Sequence, residues 1–124
     1  MKVKKIQIRI MDMDKWFDHV GNVLKDFNKK KYKPYKKTVS FENLELLRKT
    51  LTPRRIQLLS VVKNKKPRSI YELSKILHRE RKSVTNDINI LKELGFINLK
   101  KETKERTMMR PEVRFEEIEI GVRI

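Results

Sequence analysis

Polar and apolar residues alternate along "KIQIRI", residues 5–10, where Ile6, Ile8 and Ile10 are separated by Gln7 and Arg9, the period of a half-buried strand. The period then lengthens. Trp16, Phe17, Val20, Val23, Leu24 and Phe27 recur at three- and four-residue spacing, which predicts an amphipathic helix capped by Asp12 or Asp14. "NKKKYKPYKK", residues 28–37, follows as a basic connector, since Pro34 and the density of like charge both oppose helix. After a short extended piece at Val39–Phe41, "FENLELLRKTL" predicts a helix that buries Leu44, Leu47 and Leu51.

The next three elements carry their own boundary signals. "TPRRIQLLSVVKN" offers Thr52 as N-cap and Pro53 at the first helical position, with Ile56, Leu59 and Val62 as its apolar stripe. "SIYELSKIL" opens with Ser69 and Glu72 as a capping box and turns Ile70, Leu73, Ile76 and Leu77 inward. In "KSVTNDINILKELG" Val84, Ile88 and Leu91 share one face, and Gly95 ends the helix in left-handed geometry. Phe96–Leu99 reads as a strand, "KKETKER" as a polar tip, and Thr107–Arg110 as the return. Ile118, Ile120, Val122 and Ile124 close the chain with period two.

Three helices followed by a strand, a charged tip and a returning strand have the order of a winged helix-turn-helix. The expected fold class is therefore α+β, mainly helical, with a strand-helix extension over residues 1–40 and a winged helix-turn-helix domain over 41–124. On this reading "HRERKSVTND", residues 78–87, forms the turn and the start of the recognition helix, spanning 82–94. At about 100° per residue, Lys82, Asn86, Asn89 and Glu93 fall opposite the buried stripe, with Thr85 beside them. Such a helix lies in the DNA major groove. There Asn bonds adenine bidentately, Thr touches a base or a thymine methyl, and Arg or Lys reaches guanine or phosphate.

Charge strengthens the case. The 124 residues hold 32 Lys and Arg against 16 Asp and Glu, a formal charge of +16 that attracts polyanions. It runs from Lys2 to Arg114, and only Glu112–Glu119 is locally acidic. Arg79, Arg81 and Lys82 crowd a helix N-terminus, where cations oppose the macrodipole, so an external phosphate explains them better than helix stability does. The expected DNA-binding residues are Arg79, Arg81, Lys82, Ser83, Thr85, Asn86 and Asn89, with Lys101, Lys104 and Arg106 on the wing, residues 96–110, reaching backbone or minor groove. Lys29–Lys37, with Tyr32 and Tyr35 interleaved, is either solvated linker or an arm along phosphates.

Other chemistries find little support. There is no Cys, which removes disulfides, thiolate nucleophiles and Cys-based zinc sites. Asp12, Asp14 and Asp18 suggest a magnesium site less than a helix cap with acidic first-turn residues, and His19 and His78 have no partners at metal-ligand spacing. Trp16, Phe17 and Phe27 sit at core or interface spacing and not as a stacking platform. No catalysis, metal or cofactor is expected. Gln7 and Arg9 interrupt the apolar run a secretion signal would need, and nothing spans a bilayer, so a cytoplasmic, nucleoid-associated protein is expected.

"LTPRRIQLL", "SIYELSKIL", "RERKSVTNDI" and "LKELGFI" together resemble small, mostly archaeal, winged-helix transcriptional regulators related in architecture to the MarR and ArsR types. Leu51, Thr52, Pro53, Arg54 and Arg55 match the start of that family's first helix, and Lys82, Val84 and Asp87 match its recognition helix. The resemblance covers 41–124 and departs at His78, where Gly is usual, and at a wing tip without Gly. It implies a transcriptional regulator; the residues themselves argue only for binding double-stranded DNA. A homodimer is expected, because one small module reads few base pairs, with edge strands and the amphipathic extension as candidate interface. Two alternatives stand beside this: a non-specific architectural or chromatin protein, and a winged-helix module for protein assembly.

Overall fold

The computed structural model describes residues 5–10, 36–103 and 105–122. Over them the chain is an α+β protein in two compact units, Met1–Thr50 with Phe115–Ile124, and Leu51–Arg114. The second unit is thus an insertion into the first. The boundary expected between residues 40 and 41 moves to 50/51, and the last ten residues leave the domain to which the sequence assigned them. The helix predicted around Trp16–Phe27, its capping aspartates, His19, most of the basic connector and Lys104 lie outside the described residues.

The first unit is built on a three-stranded sheet, ordered β2-β1-β5, with β1 (Lys5–Ile10) in the middle, β2 (Lys36–Phe41) and β5 (Glu117–Val122), both parallel to β1. Parallel neighbours need a long crossover, and the 11–35 segment and the whole inserted unit supply the two connections. Register sets the faces. Ile8 pairs with Val39 and Ile120, and Ile6 with Ile118, so the odd-even alternation of three separate segments puts their branched side chains on one side. Ile6 and Ile8 are fully buried there, whereas Ile120 and Val122 at the β5 edge are about half exposed. On the other face the Lys5 ammonium meets Glu119 at 3.0 Å and Glu117 at 3.6 Å. The hydrogen bond to Glu119, then the charge of Glu117, raises the Lys5 pKa above its ordinary value. Lys36 and Lys37, expected in the connector, belong to β2, an edge position that tolerates Lys.

Helix α1 (Leu44–Thr50) starts where the Asn43 carboxamide oxygen accepts a hydrogen bond from the Leu46 N–H at 2.8 Å. It buries Leu47, while Leu44 stays half exposed, contrary to the stripe expected from sequence.

The second unit holds α2 (Pro53–Lys65), α3 (Ile70–Leu77), α4 (Arg81–Glu93) and an antiparallel hairpin of β3 (Asn98–Thr103) and β4 (Thr107–Glu112). Its start signals act as read: the Thr52 hydroxyl accepts from the Arg55 N–H and the Ser69 hydroxyl from the Glu72 N–H. Its stops are equally local. Gly95 (φ 84°) and Phe96 donate to Lys92 and Leu91 carbonyls, and His78 (φ 53°) and Arg79 donate to Lys75 and Ser74 carbonyls, the paired bonds of a Schellman motif. Lys66 (φ 48°) closes α2 with one such bond to Val62. The core comprises Leu58, Leu59 and Val62 of α2, Leu73 of α3, Val84, Ile88 and Leu91 of α4, and Phe96 and Ile97. Two expected core residues face outward instead, Ile56 of α2 and Ile76 of α3; in α2 the packed stripe is shifted toward Leu58. The hairpin is also longer than expected: both strands run on until Thr103 pairs with Thr107, which leaves a tip of only residues 104–106.

A left-handed backbone costs an L-residue roughly 1 kcal/mol, and at His78 nothing but the chain reversal requires it. His78→Gly is expected to raise the unfolding free energy by about 0.5 to 1 kcal/mol in a denaturant titration, and Gly95→Ala to lower it by about 1 kcal/mol or more.

Candidate nucleic-acid interface

The Schellman turn at His78 reverses the chain with only three residues between α3 and α4. Glu80 occupies the N-cap of α4 without a side-chain cap, and its carbonyl accepts from the Val84 N–H at 3.1 Å. With Val84, Ile88 and Leu91 at 0% exposure, the rotation of α4 about its axis is set, and the opposite side chains must face out. Arg81, Lys82, Asn86 and Asn89 are exposed, and Thr85 is half-buried with its hydroxyl donating to the Arg81 carbonyl at 2.8 Å. These five are turned away from the buried stripe.

Arg79 and Ser83 are engaged within the protein. The Arg79 guanidinium folds inward, its Nη2 donating to the Ser83 hydroxyl and to Asp87 Oδ2, each at 2.7 Å. Asp87 Oδ1 accepts from Arg55 Nε at 3.0 Å, so one carboxylate joins α2, the turn and α4. Side-chain exposures of 17% for Arg55, 15% for Arg79 and 12% for Asp87 place the triad in the protein's body. The cation crowding that seemed to call for a phosphate is, at Arg79, answered from within; at Arg81 and Lys82 it is not. Arg79 Nε and Nη1 are buried without hydrogen-bond partners, a cost that the doubly shared carboxylate offsets.

Sequence reading missed this triad although both helices signal it. Arg55 precedes Leu59 by four residues and Val62 by seven, and Asp87 follows Val84 by three and precedes Leu91 by four. Each is a charge at a stripe position, and the two charges are opposite.

Along the outer face of α4 lies an open concavity of about 680 Å³, lined by Lys82, Ser83, Asn86 and Asn89 with Arg55 and Glu80. A second concavity of about 520 Å³ joins the first turn of α3, at Ser69–Tyr71, to Arg81 and to Arg106–Met109 at the start of β4. It therefore brings together Arg81 and Arg106, which are 25 positions apart in the chain. Lys101 is exposed on β3 opposite Met109, and Lys100 is exposed opposite Arg110. Glu102 neutralises Arg110 at 3.3 Å, which keeps that arginine on the hairpin. Lys75 sits 4.6 Å over the Tyr71 ring, a cation–π pair at the rim of the second concavity.

The HVO_A0114 family model matches residues 50–120, more than half of the chain and all of the inserted unit. The chain belongs to the HVO_A0114 family. The match starts later and ends earlier than the 41–124 stretch of the resemblance, and it includes every residue of the α4 surface and of both concavities. No curated protein matches the chain. Among the described residues no group of three or more His, Cys, Asp or Glu is placed to hold a metal ion, and no helix is long and apolar enough to cross a membrane.

Asp87→Ala would remove the carboxylate that Arg55 and Arg79 share in the body of the inserted unit. It is expected to lower the unfolding free energy by about 2 to 4 kcal/mol, measured by urea denaturation. Lys82→Ala, on the exposed side of the same helix, should move it by less than about 0.5 kcal/mol.

Proposed function

We propose that the HVO_A0114 unit is a winged helix-turn-helix that binds double-stranded DNA sequence-specifically, with α4 in the major groove and the β3–β4 hairpin as a wing on the adjacent backbone or minor groove. The observation that carries this reading is the division of α4: its inner face is wholly buried while Lys82, Asn86 and Asn89 stand exposed along one concave surface and Arg81 along a second. Asn86 and Asn89 are one helical turn apart and suit adenine edges; Lys82 suits guanine or phosphate. Glu80, which lines the same surface, would be repelled by phosphate and suits the amino group of cytosine. Arg81 and Arg106, converging from helix and hairpin, suit phosphates on either side of one groove.

The net charge of +16 supports a polyanionic partner without favouring any sequence. That same charge favours a second reading, a non-specific architectural DNA-binding protein. Short polar side chains held against a buried ion triad favour the specific one, because base readout depends on a rigid first layer. In either form the protein acts by binding, without catalysis, and in the specific form as a regulator of transcription in the nucleoid.

The test is affinity for the chain's own upstream DNA against scrambled duplex at physiological salt. A specificity ratio of about 10³ to 10⁷ is expected, and a ratio near one would transfer the protein to the architectural class. Asn86→Ala should cost about 1 to 3 kcal/mol on the specific duplex and little on scrambled DNA. Arg106→Ala should weaken both alike and reduce the salt dependence by about one counterion. If neither change alters DNA binding, a protein-assembly module remains.

A further inference from the structure

We propose that the outer edge of β5 is a docking surface for a second copy of this chain, the two β5 strands pairing antiparallel about a two-fold axis at Ile120. β5 ends the three-stranded sheet, and no described strand pairs with its outer side. An edge strand is a template on which another strand can pair, and here two large apolar side chains accompany it: Ile120 is 53% and Val122 49% exposed. Both belong to the face on which Ile6 and Ile8 are buried, so pairing would continue one apolar layer from copy to copy.

Charge selects this edge. Two copies bearing +16 each repel, and an interface between them belongs where the chain is locally acidic. That is the stretch from Glu112 to Glu119, which leads into β5. Centring the pair on Ile120 sets Ile118 opposite Val122 of the other copy and Glu119 opposite its Gly121. No glutamate then faces a glutamate within Ile118–Val122. Gly121 adds the complement: a Cβ there would lie 3.1 Å from Arg9 Nη1, so the absent side chain lets the Arg9 guanidinium rest over β5. Directly opposed residues of antiparallel strands have Cβ atoms about 5 Å apart, which brings the other copy's Glu119 within reach of that guanidinium. An isologous pair also closes, whereas β5 joined to the β2 edge of another copy would propagate without end.

The contact lies in the sheet unit and does not depend on the DNA reading. Sedimentation equilibrium of the full chain without DNA should give a mass approaching twice 15.0 kDa. Ile120→Lys should weaken association about tenfold or more and leave the circular dichroism spectrum unchanged. Because the chain has no cysteine, Ile120→Cys tests the register even if the lysine variant is poorly folded. On mild oxidation it should crosslink to itself, as opposed Cα atoms about 4.5 to 5.5 Å apart permit. Ile118→Cys should crosslink with Val122→Cys and not with itself. A mass of one chain throughout the micromolar range, a dimer indifferent to Ile120→Lys, open-ended growth in mass, or self-crosslinking at 118 as fast as at 120 would each overturn the proposal.

Discussion

Asp87 holds the inserted unit together in a way that its apolar core alone does not. Burial of Val84, Ile88 and Leu91 sets how α4 is turned, but an apolar stripe lets a helix slide and tilt. A carboxylate held by Arg55 of α2 on one oxygen and Arg79 of the turn on the other removes that freedom. The net stabilisation from such a group is small, since three charges had to leave water. Its effect is on geometry: hydrogen bonds of 2.7 and 3.0 Å lock the turn, the start of α4 and the neighbouring helix into one arrangement. Arg81, Lys82, Asn86 and Asn89 inherit their positions from it.

What the sequence made legible follows from the range of the forces involved. Caps at Thr52 and Ser69 and the stop at Gly95 rest on hydrogen bonds between residues three to five apart, so a short window contains the whole cause. The helix order, the hairpin and the outward face of α4 could be read for the same reason. The stripe of α2 was displaced because Ile56 lies about 60° to one side of Leu59 on the wheel and Leu58 about 100° to the other, and only packing decides between them. Least legible was the destination of β5. Its alternation announced a strand, but a strand does not announce its partner, and Lys5 and Glu117 are joined from opposite ends of the chain.

Arg79 illustrates a different limit. Its position among Arg81 and Lys82 made three cations look alike, and one of them differs because its guanidinium can reach Ser83 and Asp87 one and two turns along α4. A count of charge in a window treats each side chain as solvated. The distinction needs the knowledge that position 87 is a core position, and only the spacing to Val84 and Leu91 provides that.

The chain leaves the sheet-bearing unit after Thr50 and returns to it at Phe115, with everything between them forming a body of its own. A host framework that carries its guest as an internal loop keeps both halves of its sheet on either side of the guest's coding stretch. The inserted body could thus be exchanged wholesale, by grafting at two splice points, while the strands that hold the host together stay untouched.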